Sequence, residues 1–395
     1  MKPPEAEPQG EAGARAARER SEQEREATGA AVRRSSNPRK PDVRDDLRLL
    51  DGYHSPQIDV EVRLNTNEAP VGPPPEFTEA LAAELAHVEW HRYPDRTASK
   101  LRTDLAKLHG TEPGRIFVAN GSNEVLQTLC LTYGGAGRSV ATFEPTYAMY
   151  GQIARSTQCT VVEGERHADG SVSVYELERL IERHQPSIVC LCSPNNPTGT
   201  PEQLDVLERA LEIAPGLVVV DEAYGQFADW SAIDLCDDAG GPANLVVTRT
   251  YSKTWAMAGA RLGYAVVPSG MAAEFEKVVL PYHVDTFKQI AGRVALRFAD
   301  QTESRVTAIV SERQRIMASL TQMGLEVWPS QSNFILFRTT PNGCSGDDVW
   351  QALVDRSVLV RNCSGWPRLA DCLRVTVGTP GENDRFLDAL SEAIS

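Results

Sequence analysis

The sequence predicts an α/β protein, a mostly parallel sheet covered by helices with a small α+β domain after it. Two observations carry this. Between residues 116 and 267, short and wholly apolar runs alternate with helical stretches, the pattern of strands buried on both faces. After Gly324 the order changes to strands gathered around one helix, with a second helix closing the chain. At 395 residues the chain also exceeds one typical domain.

Residues 1–44 are nearly devoid of strongly apolar side chains and mix charges with prolines. Such a segment buries too little surface to offset its ordering entropy, so a disordered N-terminal extension is expected, with a transient helix over 12–27. Residues 45–75 read as an N-terminal arm. It ends in Asn65-Thr66-Asn67-Glu68-Ala69-Pro70 and Gly72-Pro73-Pro74-Pro75, a loop rich in turn formers. A large domain is expected over 76–323. Helices at 75–86 and 98–109 flank the aromatic loop His91-Arg92-Tyr93-Pro94-Asp95. Strands follow at 116–119, 139–143, 160–163, 187–192, 217–221, 245–250 and 263–267. Helices fall at 124–133, 148–156, 174–183 and 202–213, and a long one with apolar residues at helical spacing covers 303–323. The small domain, 324–395, has strands at 333–338, 358–361 and 373–377 and helices at 346–355 and 383–394.

Composition excludes several function classes. No window approaches 18 consecutive apolar residues, so no membrane span is expected, and no apolar run near the first residue suggests a secretory signal. Net charge is −14; residues 1–44 hold ten Lys/Arg against eight Asp/Glu, which leaves −16 for the rest. That balance opposes a nucleic-acid footprint, and residues 1–44 lack the apolar periodicity of a helix-turn-helix module. The eight cysteines show no paired C-x-x-C spacing, so reduced thiols in the cytoplasm and no metal site are expected. Cys190 and Cys192 are expected to point to opposite faces of one strand.

The chemistry centres on Arg249-Thr250-Tyr251-Ser252-Lys253, at the end of an expected strand, and on Arg261 eight residues beyond the lysine. A lysine there can project its amine into a cleft, and the arginine returns a fixed positive charge to the same place. Together they suit a cofactor with a reactive carbonyl at one end and a phosphate at the other. Lys253 would form the Schiff base; Ser252 and Arg261 would hold the phosphate. Val218-Val219-Val220-Asp221-Glu222-Ala223-Tyr224 puts a carboxylate at the carboxyl end of a buried strand, where ligands of open α/β sheets bind. A buried Asp221 needs a cationic partner, which a protonated pyridine nitrogen supplies. In Ser193-Pro194-Asn195-Asn196-Pro197 two prolines fix the turn, so that Asn195 can hold a phenolic oxygen. Asn120-Gly121-Ser122-Asn123-Glu124 opens a helix directly after a strand, an anion site. Tyr147 follows the next strand and can stack on a flat heterocycle.

These motifs, in this order, resemble the histidinol-phosphate aminotransferase branch of the class I/II aminotransferases, fold-type I pyridoxal-phosphate enzymes. The resemblance spans about residues 60–395 and includes LNTNEAP, HRYPD, NGSNE, PTYAMY, SPNNPTGT, VVVDEAY, RTYSKTWAMAGARLGY, SQSNFILF and LRVTVGTPGEN. It implies pyridoxal 5'-phosphate as cofactor, with Lys253 as Schiff-base lysine and proton shuttle and Asp221 on the pyridine nitrogen. Asn195 and Tyr224 would meet the ring hydroxyl, and Tyr147 would stack on the ring. Gly121, Ser122, Asn123, Ser252 and Arg261 would surround the phosphate. Tyr93 would reach the phosphate of a neighbouring subunit, which implies a homodimer with shared active sites. Arg361 and Arg374 would clamp the substrate's anionic group, and Asn333 would line the pocket beside Asn195. The implied reaction passes an amino group from L-histidinol phosphate to 2-oxoglutarate. An aromatic amino-acid aminotransferase and a threonine-phosphate decarboxylase share these motifs. Ala69, Tyr251, Trp255 and Arg368 depart from the family's usual pattern, Arg368 standing where glycine is common.

Overall fold

The computed structural model describes residues 41–48, 50, 52, 56–236 and 241–395. The chain divides into two units, 1–48 and 49–395. Among the described residues of the first there is one 3-10 turn, at Asp45–Leu47. The extension expected over 1–44, with its transient helix, lies outside the described residues except for 41–44.

In the second unit the elements run β1 (Val62–Leu64), α1 (Pro75–Leu85), α2 (Ser99–Leu108), β2 (Ile116–Ala119), α3 (Ser122–Tyr133), β3 (Ser139–Glu144), α4 (Met149–Ser156) and β4 (Thr160–Glu165). Next come α5 (Val174–His184), β5 (Ile188–Cys192), α6 (Leu204–Ile213), β6 (Leu217–Asp221), β7 (Leu245–Thr250), β8 (Gly263–Val266), α7 (Met271–Phe275) and α8 (Thr286–Leu296). The chain closes with α9 (Ala299–Gln322), β9 (Glu326–Val327), β10 (Phe334–Arg338), α10 (Gly346–Asp355), β11 (Val358–Asn362), β12 (Cys372–Thr376) and α11 (Pro380–Ala393).

Seven strands form one sheet in the order β2-β8-β7-β6-β5-β3-β4. Only β8 runs antiparallel to its neighbours, so the other six strands end at one edge. The central strands β5, β6 and β7 are buried along their whole length. Their side chains alternate between two apolar clusters. Leu191, Val220 and Val247 pack on one face, and Cys192, Val219 and Val246 on the other. Each such side chain adds about 1.5–3 kcal/mol when fully buried. The expectation for Cys190 and Cys192 is corrected here. Two residues apart on a strand with a period of two, they share a face and a cluster, while Leu191 points the other way. All eight cysteines are free.

A second sheet has the order β1-β11-β12-β10-β9, with β1 parallel to β11 and the other pairs antiparallel. One face packs on α9, α10 and α11 through residues such as Ile316, Leu353 and Phe386. The other carries Trp328, Leu336, Leu369 and Cys372. The final helix begins with a reciprocal cap between Thr379 and Glu382 three residues later. Four elements were not expected: β1, α7, α8 and β9. β1 comes from the N-terminal arm, yet belongs to the sheet built from the chain's end. Helix α8 is capped by Asp285, whose side chain accepts from the Lys288 N–H.

Candidate active site

The shared carboxyl edge of the large sheet brings the ends of β2, β3, β5, β6 and β7 around a cavity of about 360 Å³. Its opposite wall comes from the arm and from β11 and β12, through Thr66, Asn67, Arg361 and Arg374.

Asp221 is the last residue of β6 and is only 3% exposed. Its Oδ2 accepts from the Tyr150 hydroxyl (2.8 Å), and its Oδ1 from the Thr248 hydroxyl (2.9 Å) and the Ala223 N–H (3.1 Å). Among the described residues no cation pairs with it. Burial therefore raises its pKa, against the lowering effect of those hydrogen bonds. A carboxylate aimed into a cavity without a cation fits a ligand that brings a positive charge.

Lys253 lies just past β7. Its Nζ donates to the carbonyls of Thr66 (3.1 Å) and Asn67 (2.7 Å) and sits 5.6 Å from the centre of the Tyr224 ring. Burial, then the Arg374 charge, and Arg261 against an opposing pull from Glu68, lower its pKa to about 7. Such an amine is half neutral near pH 7, the condition for a nucleophile or a proton carrier. The Tyr224 hydroxyl accepts from Asn67 Nδ2 at 2.9 Å, and burial pushes its pKa up, so it stays a phenol.

An anion cradle stands at the start of α3. Gly121 caps the helix with φ +84° and no side-chain cap, leaving the first N–H groups open. A Cβ on Gly121 would come within 3.1 Å of Arg261 Nη2. Gly263 in β8 leaves no room either, since a Cβ there would collide with the Gly121–Ser122 backbone. The Arg261 guanidinium reaches Ser252 Oγ (3.4 Å) and the Ala258 carbonyl (3.3 Å), with no carboxylate within ion-pair distance among the described residues. Open N–H groups, a serine hydroxyl and a free guanidinium suit a phosphate. Tyr147 lines the cavity and donates to Asn123 Oδ1 at 3.2 Å.

Arg374 is buried. It donates through Nη1 to Asn196 Oδ1 and through Nη2 to the Asn65 carbonyl (3.0 Å), over the face of Phe334. Arg361 is its cross-strand partner and lies 5.8 Å from the Trp366 ring.

Two residues expected in the cavity, Asn195 and Asn333, stand elsewhere. Asn195 is fully buried and does not line the cavity. Its Oδ1 accepts from the Thr146 hydroxyl (2.7 Å), and its Nδ2 donates to the Pro145 carbonyl (3.1 Å) and Thr198 Oγ1 (3.0 Å). Its neighbour Asn196 lines the cavity instead. Asn333 is buried behind the arm, donating to the Asn67 (3.1 Å) and Glu68 (3.3 Å) carbonyls. Tyr93 is 80% exposed and stacked on Tyr282 at 4.5 Å, away from its own chain's cavity. Sequence reasoning missed Asn67, which holds Tyr224 through its side chain and Lys253 through its carbonyl. Its left-handed φ of 56°, tolerated by asparagine, was signalled only by the turn-forming composition of its loop. Tyr150 and Thr248, the props of Asp221, gave no signal.

Among the described residues there is no cluster of metal-ligating side chains, and no helix is long and apolar enough to cross a membrane. The family model for aminotransferase class I and II matches residues 59–390. The chain is 42% identical over 363 residues to a histidinol-phosphate aminotransferase of Corynebacterium diphtheriae, covering 89% of this chain and 96% of that one. It is 42% identical over 355 residues to the enzyme of the same name from Thermobifida fusca, covering 89% and 95%. Among solved structures, the histidinol-phosphate aminotransferase of Sinorhizobium meliloti in complex with pyridoxal-5'-phosphate superposes with a TM-score of 0.81. Identity is 24%, and 91% of this chain and 98% of that one are covered. A mutant Thermus thermophilus aspartate aminotransferase gives a TM-score of 0.74 at 20% identity, covering 90% and 100%. At these identities the two structures speak for the fold alone: a central sheet covered by helices.

Proposed function

Because this chain belongs to the class I and II aminotransferases, we propose that it is a pyridoxal-phosphate enzyme moving the amino group of L-histidinol phosphate to 2-oxoglutarate. The products are imidazole acetol phosphate and L-glutamate, a step of histidine biosynthesis. One observation carries the reading. A near-neutral Lys253, an Asp221 without a cation and an anion cradle beside Arg261 meet in a single cavity. The relatives' shared name, at 42% identity across most of the chain, supports the donor.

The residues fit the cofactor at both ends. Asp221 would hold a protonated ring nitrogen, and Gly121, Ser122, Asn123, Ser252 and Arg261 would hold the phosphate. Tyr147 would lie against the ring, with Tyr224 and Asn196, rather than Asn195, near its hydroxyl. When bound, pyridoxal phosphate supplies an aldehyde that takes up the amino group and a ring that withdraws electrons from the substrate's Cα. Lys253 would anchor it, then take the Cα proton on its neutral Nζ and deliver that proton to the C4′ carbon of the cofactor rather than back to Cα. Asp221 keeps the ring nitrogen charged. Tyr224 donates its phenol hydrogen bond, and Arg374 and Arg361 fix the anionic end of donor and acceptor in turn.

A homodimer with shared sites belongs to the same proposal. It is supported by an exposed aromatic patch in which Tyr93 stacks on Tyr282 and Trp90 lies 5.0 Å from Phe287. In the dimer Tyr93 would reach the partner's phosphate. A cytoplasmic location is supported by eight free cysteines.

The test is the visible spectrum of the cofactor-loaded protein. L-histidinol phosphate alone should abolish the band of the lysine-bound cofactor, and 2-oxoglutarate should restore it. Conversion by phenylalanine or tyrosine, with none by histidinol phosphate, would replace the donor with an aromatic amino acid. Lys253→Ala should fold, lack the band and lose turnover.

A further inference from the structure

Arg368 departs from the family's usual glycine, and its contacts reach across the cavity. The loop 363–371 between β11 and β12 is braced internally, by Trp366 N–H to the Cys363 carbonyl (2.9 Å) and Leu369 N–H to the Trp366 carbonyl (3.1 Å). It carries Trp366, which lines the cavity and lies under the Arg361 guanidinium. From the same loop Arg368 donates to the main-chain carbonyl of Glu144 and pairs with Glu165 at 2.9 Å. Glu144 and Glu165 end β3 and β4 of the large sheet, three residues before Tyr147 in the first case. Arg368 thus ties the loop on one side of the cavity to the strand end that carries the aromatic residue on the other.

We propose that loop 363–371 is a substrate clamp, latched on the large sheet by Arg368, and that Trp366, which it carries, positions Arg361 for the substrate. With the latch closed, the Trp366 ring holds Arg361 in the cavity, ready for an anionic substrate. With it open, Arg361 loses that support. Arg368 touches neither substrate nor cofactor and acts as a positioning residue. The latch is an exposed ion pair plus one hydrogen bond, a weak contact of the kind that opens and closes readily.

The kinetic part of this inference rests on the aminotransferase reading; the structural part does not. Arg368→Asn is the suitable variant, since φ at this position is +62° and asparagine tolerates it. Hydrogen exchange of residues 363–371 in the holoenzyme should quicken several-fold in Arg368→Asn, and less in Glu165→Gln. The KM for L-histidinol phosphate should rise about three- to tenfold with kcat within twofold, and Trp366→Ala should raise it at least as much. Unaltered exchange in Arg368→Asn overturns the latch even if the donor is another amine. Faster exchange with an unchanged KM overturns the clamp.

Discussion

Arg361 and Arg374 stand directly opposite each other on β11 and β12, so two guanidinium groups share one face of a sheet and one cavity. Like charges so placed repel. The acceptors that the Arg374 guanidinium meets are neutral, Asn196 Oδ1 and the main-chain carbonyl of Asn65. An anion between the pair removes the repulsion, and a planar fork binds carboxylate and phosphate alike. On the proposed function, the relationship would serve both half-reactions. Arg374→Gln should cost about 3 kcal/mol of transition-state binding, roughly a hundredfold in kcat/KM, for donor and acceptor together. Steady-state kinetics with each substrate varied in turn checks it; a loss confined to one substrate would assign Arg374 to that substrate alone.

Asp221→Asn keeps the size of the side chain and its partners Tyr150, Thr248 and Ala223 but removes the charge. Turnover should fall about a hundredfold or more, because a preorganised charge facing the cofactor is gone. Thermal stability of the apoprotein should hold or rise, since the substitution removes a buried charge without a cation. A variant that unfolds early would instead make Asp221 a structural residue.

Asn195 and Asn196 separate a prop from a site residue. Asn195→Ala strips the Thr146 hydroxyl and the Pro145 carbonyl of buried partners, which costs about 1–3 kcal/mol and should lower Tm. Asn196→Ala opens toward the cavity, so Tm should stay near the wild-type value while kcat/KM falls about tenfold as Arg374 loses an acceptor. The reverse ranking would restore Asn195 to the site.

Lys253 gives the apoprotein a pH signature. Its pKa falls from 10.5 to about 7 on folding. Between these values the unfolded chain holds a proton that the folded chain has released, so stability rises with pH across that window. Below pH 7 both states are protonated and the contribution is flat. Lys253→Met should abolish this increment. Urea titrations of both proteins at pH 7 and pH 9.5 measure it as a difference in which the other titrating groups cancel. Equal slopes in the two proteins would return the Lys253 pKa to its ordinary range.

The large sheet was legible because its signal is local. Leu217–Asp221 and Leu245–Thr250 open on the unbroken apolar runs 217–220 and 245–247, and the ends of both strands fall where the sequence places them. Asp221 and Lys253 were legible for a related reason: one ends such a strand and the other lies three residues past one, while Arg261 was legible from its place eight residues beyond the lysine. The misses are non-local. Three residues, Val62 to Leu64, make a strand only because Val358 to Val360 pair with them. In α8 the mid-helix Gly292 reads as a breaker, yet it is where Leu101 and Leu262 pack closest. Which of two adjacent asparagines faces the cavity depends on the path of the turn, which composition does not encode.

The Arg374–Asn65 hydrogen bond and the pairing of β1 with β11 join parts of the chain about three hundred residues apart. During synthesis the arm emerges early and waits for nearly three hundred further residues before its strand has a neighbour. The carbonyls that receive Lys253 cannot take up their positions until β11 and β12 have left the ribosome. A nascent chain stopped before residue 358 therefore has the lysine, the aspartate and the phosphate cradle but no closed cavity. Competence to bind substrate is the last thing this protein acquires.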